Sequence, residues 1–367
     1  MTRIGKAAAA ALILLLILVG ALISRKPGSG GTSSEKSFTE AEQAARYPFS
    51  QLTPREKALY RTLYAGIESY QDTIRLPHTY SDKEYERVYL LLTMQEPQFF
   101  YVDKVYELSE KMDSAVIHYL FGQEQAESIR GQIDAQAERI LSRISSAQTE
   151  AQKLLMLHDL IAERCRYSDF LFSDSVYGCL VNGMALCEGY AKTFVYLARK
   201  LGMEAMCVTG KSSRDVLHVW NIAKIDGAYY NIDVTWDDDD SYCGCVPHCC
   251  FAMPDQLFSD HIADQTAFIP PVCSGTSKTY YQLYGYLLSE PQQLSVNLAG
   301  WGRQKNGQVL EFRCANDSVF MQVRDMLQRD PAIGAILRQN GMHDGARILL
   351  DSARQIAVVL PESYGNF

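Results

Sequence analysis

The body of the chain has no block of lysine or arginine and no basic stripe interleaved with aromatics. With 35 Lys and Arg against 43 Asp and Glu, the formal charge is −8. The electrostatic footprint of a nucleic-acid binder is absent, and nucleic acid is set aside as a partner. There is no internal repeat. The ten cysteines include no paired C-x-x-C units. The dense patch Cys243-Gly-Cys245-Val-Pro-His248-Cys249-Cys250 therefore reads as disulfide or loop cysteines before it reads as a thiolate metal site. The acidic stretch at residues 237–240 lacks the alternating ligand spacing of a calcium loop and reads as a solvated turn.

What is present divides unevenly along the 367 residues, of which 47% are hydrophobic and 21% charged, a globular composition with room for about two domains. Residues 7–23 are charge-free, with Arg3 and Lys6 ahead of them and a core of LILLLIL at residues 12–18. An uncleaved signal anchor over residues 1–26 is the preferred reading and a cleaved signal the alternative; both place the body outside the cytoplasm. The polar run PGSGGTSS opens a flexible tether at residues 27–38. Residues 39–146 carry mostly helical signals and read as a helical module. Within it, Thr53-Pro54-Arg55-Glu56 marks one helix start and the aromatic-rich stretch 97–106 is extended. Residues 291–367 pattern as a small α+β module with strand 310–314, a helix at 319–339 interrupted near Pro331, and a closing hairpin. No catalytic constellation is legible there.

Between them, residues 176–240 hold the chemistry. From Cys187 the apolar residues Ala191, Phe194, Val195, Ala198 and Leu201 recur at spacings of three and four, with Gly183 before and Gly202 after, which predicts a helix. Cys187 then sits in the first helical turn, where unpaired N–H groups and the helix dipole favour a thiolate. Residues 217–225 and 228–236 flank Asp226-Gly227, a two-residue hairpin signal. Closing the turn there pairs Ile225 with Ala228 and sets His218 and Asp233 on one face, two positions apart. A three-residue loop would put Asp233 on the opposite face.

The three strings G-x-A-x-C-E-G-Y-A, H-V-W-N and D-G-A-Y-Y-N-I-D-V-T-W-D resemble those of the transglutaminase-like superfamily of papain-type cysteine enzymes, over about residues 147–290. The resemblance implies an α+β fold, with the helix carrying the cysteine packed on an antiparallel sheet. It also implies Cys187 as nucleophile, His218 as general base and acid, and Asp233 as the partner of His218. Asn182, five residues before the cysteine, is the nearest amide side chain able to help hold an oxyanion. The chemistry so implied is amide acyl transfer or hydrolysis on a protein or peptide through a thioester, with no cofactor and no metal. An idle binding or assembly module on the same fold is a rival, and a redox or metal protein built on the 243–250 cysteines is another. His158, on an apolar helix face, reads as a core residue. His261, in the string Phe-Ser-Asp-His, ranks below His218 as an acid–base group, and Trp220 and Trp236 flank the site in sequence.

Overall fold

The computed structural model describes residues 3–5, 46–238, 246–301, 310–339 and 347–360. The apolar run at 7–23, the tether, Asp239, Asp240, Cys243 and Cys245 lie outside them. Among the described residues no helix is long and apolar enough to cross a membrane. The chain divides into two compact units, one of residues 1–93 and 101–122, the other of residues 94–100 and 123–367.

The first unit mixes helices with a sheet, where the sequence suggested mainly helix. Helices α1 (Tyr47–Ser50), α2 (Pro54–Glu68) and α3 (Asp82–Gln95) accompany the strands β1 (Arg3–Gly5), β2 (Thr73–Arg75), β3 (Val102–Leu108) and β4 (Ser114–Tyr119), in the order β1-β3-β4-β2. The start of α2 follows its capping box: Thr53 accepts from the Glu56 N–H while the Glu56 carboxylate accepts from the Thr53 N–H. The hairpin β3–β4 escapes a helix-only reading because its buried positions alternate along β3, with Val102, Tyr106 and Leu108 inward. That is a period of two, not three and a half. Tyr85, Tyr89 and Tyr106 fill this core with ring centroids 4.7–5.7 Å apart.

The second unit takes in residues 94–100 and α4 (Gln123–Leu141), a helix that the sequence pattern groups with the N-terminal module. Its Asp134 accepts from Tyr196 and Lys200, at 2.6 and 2.8 Å, and so belongs with the cysteine helix. Next come α5 (Glu150–Arg164), the short strands β5 (Arg166–Tyr167) and β6 (Met184–Ala185), and α6 (Cys187–Lys200). The sheet that α6 covers runs β10-β7-β8-β9, with β7 at Ala205–Ser212, β8 at Leu217–Ile225, β9 at Ala228–Ile232 and β10 at His261–Ala263. Tyr190, Ala191, Phe194, Val195, Leu197 and Ala198 are the apolar residues α6 buries, each larger side chain contributing about 1.5–3 kcal/mol. Asn221 fastens sheet to helix, its amide donating to the Ala191 and Met206 carbonyls at 3.0 and 3.3 Å.

The β8–β9 turn is the two-residue one, with Asp226 and Gly227 both at positive φ (49° and 87°) and Ile225 opposite Ala228. The second strand is shorter than the pattern suggested. It stops at Ile232, and residues 234–237 turn into the short helix α7 (Val234–Asp237). The cause is Asp233, whose Oδ1 accepts from the N–H groups of Thr235 and Trp236 and so caps a helix in place of continuing a ladder. At the other edge β10 needs Gly210: a Cβ there would stand 2.2 Å from the Ile262 carbonyl oxygen.

The C-terminal region belongs to this same unit. After α8 (Tyr280–Tyr284) and α9 (Gln293–Trp301), its sheet runs β11-β12-β14-β13, from β11 (Leu287–Leu288), β12 (Leu310–Cys314), β13 (Arg347–Asp351) and β14 (Ile356–Leu360). Helices α10 (Asp317–Arg329) and α11 (Pro331–Gln339) break at Pro331 as the sequence indicates.

Candidate active site

Cys187 is the first residue of α6, so its N–H is one of the unpaired donors of a helix start. It is half-buried, whereas the seven other free cysteines among the described residues are buried. Burial pushes the thiols of Cys207, Cys249, Cys250, Cys273 and Cys314 above the usual range, so at neutral pH they stay protonated and unreactive.

His218 enters from β8, buried, and its Nε2 lies 2.6 Å from Asp233 Oδ2. Burial works against its charge, but the Asp233 carboxylate and, after it, the Cys187 thiol raise it to about 10. With Nε2 occupied by Asp233, Nδ1 is the nitrogen left for the sulfur. Asp233 is 1% exposed. Burial opposes its charge as well, yet His218 and then His261 hold its carboxyl well below the usual range. Cys187, His218 and Asp233 are thus gathered at one place as a thiol, an imidazole and a carboxylate.

The site also contains a residue the sequence ranked low. His261 Nε2 reaches the same Asp233 Oδ2 at 3.0 Å, and its Nδ1 meets Asp260 Oδ1 at 2.8 Å. Arg354, from the turn between β13 and β14, grips both Asp260 oxygens at 2.7 Å and Asp351 at 2.8 Å. Its guanidinium stands over the Trp236 and Phe258 rings, 5.6 Å from each centroid. The C-terminal region, in which no catalytic group was legible, therefore supports the carboxylate through two intermediaries. Only the hairpin pairing was readable; a contact 94 residues away leaves no periodic signal.

Asn182 lies on the segment just before β6. It ends a short π-helical turn, Gly178–Asn182, and its amide donates to the Leu171 carbonyl at 3.4 Å, an engagement within the loop. Trp220 is buried and donates from Nε1 to Asn231 at 3.3 Å, while Trp236 is half-buried with its ring 5.6 Å from His218 and 4.2 Å from His261. Asp237, expected in a solvated turn, is fully buried: its Oδ2 lies 3.0 Å from His158 Nε2, and it accepts the Cys250 N–H. His158 is buried as expected, though in a charged cluster and not an apolar one.

The model of the Transglutaminase-like superfamily matches residues 138–234. No curated protein matches this chain. Among solved structures, a TGase matches at 15% identity and a TM-score of 0.28, covering 33% of this chain and 40% of that one. A proposed cysteine protease from Cytophaga hutchinsonii matches at 14% identity and 0.28, covering 43% and 53%. Menin, whose structure reveals the binding site for the Mixed Lineage Leukemia protein, matches at 11% and 0.28, covering 78% and 62%. The chain thus spans less than two thirds of each of these structures, and superpositions of that quality carry no weight of their own. The matched segment holds Cys187, His218 and Asp233 together, and it is over these residues, within an α+β fold, that the chain is similar to the Transglutaminase-like superfamily.

Proposed function

We propose that the protein is a transglutaminase-like cysteine acyltransferase or amidohydrolase acting on amide bonds of proteins or peptides. The observation that carries this reading is the convergence of Cys187, His218 and Asp233, with Nε2 of His218 held 2.6 Å from the carboxylate. Cys187 thiolate attacks the amide carbonyl, and the helix-start N–H of Cys187 is one donor to the oxyanion. His218, its ring fixed by Asp233, delivers its Nδ1 proton to the departing amine as the C–N bond breaks. The resulting thioester passes its acyl group to a second amine or to water, whose proton His218 takes up.

The reading further places the body outside the cytoplasm, held to the membrane through residues 1–26, on the strength of the charge-free run at residues 7–23 behind Arg3 and Lys6. Fractionation of cells expressing the full chain tests this: recovery in the membrane fraction is expected. Soluble secreted protein beginning near Leu22 would mean a cleaved signal.

The chemistry is tested by incubating purified protein with glutamine-containing peptides and a small primary amine, then reading Cys187 by peptide mass spectrometry. An acyl adduct on Cys187 and an amine-labelled peptide are expected for transfer, and the adduct with hydrolysed amide for hydrolysis. Absence of any adduct, with Cys187 no more reactive toward iodoacetamide than an ordinary thiol, would leave a binding module on the same fold.

A further inference from the structure

A second cluster of histidines and carboxylates lies apart from Cys187. Helix α5 supplies His158 and Asp159, and the segment after residue 245 supplies His248. Asp159 Oδ1 stands 3.0 Å from His158 Nδ1 and 3.0 Å from His248 Nε2. Both rings have a second carboxylate on their far nitrogen. His158 Nε2 is 3.0 Å from Asp237 Oδ2, and His248 Nδ1 is 2.6 Å from Glu311 Oε1. Those outer carboxylates are themselves fixed. Asp237 accepts the Cys250 N–H, and Glu311 Oε2 accepts the His248 N–H and the Tyr281 hydroxyl, each at 2.9 Å. The His248 ring lies flat on Tyr280, centroids 3.9 Å apart.

A neutral imidazole has one N–H and can donate to one carboxylate. Here each ring faces a carboxylate at both nitrogens, so the cluster without a cation needs one extra proton per ring, carried by the imidazole or by a facing carboxyl group. One divalent ion placed among His158 Nδ1, His248 Nε2 and Asp159 Oδ1 would replace two protons with the same charge. It would also leave each ring its outer N–H for Asp237 or Glu311. Histidine ligands oriented by a carboxylate on the far nitrogen are the ordinary support of a metal site. The three inner atoms lie within 4.8 Å of one another, and bonds of about 2.1 Å at tetrahedral angles would set them about 3.4 Å apart, a small opening of the 3.0 Å between Asp159 and each ring. Two imidazoles and one carboxylate suit zinc and its neighbours and disfavour calcium or magnesium. The Asp159 side chain is 32% exposed, so the cluster is open to solvent at that residue.

We propose that His158, Asp159 and His248 form a site for a zinc-class divalent metal ion. The other histidine–carboxylate group of similar closeness, His218, Asp233 and His261, lacks this support, because the far nitrogen of His218 faces the Cys187 thiol. The Cys250 peptide joins the two groups, donating its N–H to Asp237 and accepting the Asp233 N–H at 3.0 Å. A bound ion would therefore steady the capping turn that carries Asp233.

The test is metal content and spectroscopy, with no reference to turnover. The full chain, purified after growth with added zinc and desalted, should hold about one zinc per chain by elemental mass spectrometry. Stripping with a chelator should lower the melting temperature by about 5 °C and zinc alone should restore it. Cobalt(II) added to the stripped protein should give visible ligand-field bands with no thiolate charge-transfer band. Asp159→Asn and His248→Gln should each reduce bound zinc at least tenfold, while His261→Gln retains it. Asp159 is partly exposed, so its variant keeps the test open if the buried His248 variant fails to fold. Three results would overturn the proposal: no zinc retained at micromolar free ion, a thiolate charge-transfer band, or zinc lost with His261→Gln and kept with Asp159→Asn.

Discussion

Among the described residues the second unit contains two histidine–carboxylate–histidine groups, built from the same side chains and set to different uses. In both, one carboxylate oxygen is shared by two imidazole nitrogens, Asp233 Oδ2 by His218 and His261, and Asp159 Oδ1 by His158 and His248. The difference lies in what the far nitrogens meet. Around Asp159 both meet carboxylates, so each ring is clamped at both ends. Around Asp233 one meets Asp260 and the other is left to a half-buried cysteine at a helix start. A reactive group requires an end that is not satisfied by the protein itself, and only the Asp233 group has one.

The largest expected effect follows from that open end. Cys187→Ala should abolish acyl-adduct formation and lower any amide turnover by 10⁴-fold or more, in line with loss of a nucleophile from such a triad, on the order of 10⁶ at most. His218→Ala should do nearly as much, because the three groups act as a unit. Equal turnover in wild type and Cys187→Ala, measured by peptide product, would dissolve the contrast between the two groups.

Next in size is stability. Asp233 is 1% exposed and accepts from two backbone N–H groups as well as two imidazoles. Asp233→Ala leaves all four without their acceptor and should cost about 3–5 kcal/mol in urea unfolding. Asp159→Ala, at a side chain a third exposed, should cost about 1–2 kcal/mol once solvent screening is allowed for. The reverse order would mean that Asp159 is the true structural centre. Smaller again is the effect of Arg354→Met. It keeps the apolar stem over Trp236 but removes the grip on Asp260, and kcat should fall about tenfold with KM little changed, since Arg354 acts through His261 on a carboxylate that never touches substrate.

How much of this was readable beforehand varied with the range of the interaction. The Asp226-Gly227 turn is local chemistry, and it fixed the register that sets His218 near Asp233. Helix α6 was legible from its spacing of apolar residues and its flanking glycines. The end of β9 was less so, because Asp233 is equally acceptable as a strand residue facing His218 and as a helix cap. In the fold it is both, one oxygen to each task. Of hairpin β3–β4, the first strand overlaps the aromatic stretch 97–106 that reads as extended, while β4 was hidden by neighbouring helical patterns. Asp237 looked like one of four equivalent surface carboxylates, and nothing local distinguishes it; its partner His158 lies 79 residues earlier. Glu311 and Arg354 were invisible for the same reason: charged residues on a strand and in a turn normally face water, and only the packing of β12 and of the β13–β14 turn buries these two.

The smallest expected effect concerns pH. The Asp233 carboxylate and the Cys187 thiol raise His218 to about 10 against the pull of burial, while an unfolded histidine titrates near 6.5. The folded state therefore holds a proton that the unfolded state has released. Stability from this ion pair is complete below about pH 6.5, declines above it, and is gone once pH passes about 10. Asp233 runs the other way: its carboxyl is held low, so its contribution is present at neutral pH and lost only as pH falls below about 4. In the metal-free protein His158, raised to about 9, and His248, raised to about 10 by Glu311 and Asp159 against burial, share the alkaline window. The wild-type curve alone cannot apportion it. Comparison with His218→Gln can. Between pH 7 and pH 9, wild type should lose about 2 kcal/mol more than the variant in urea unfolding at constant ionic strength. Parallel curves would mean that His218 is neutral in the folded protein at pH 7, and the imidazolium beside Asp233 would have to be given up.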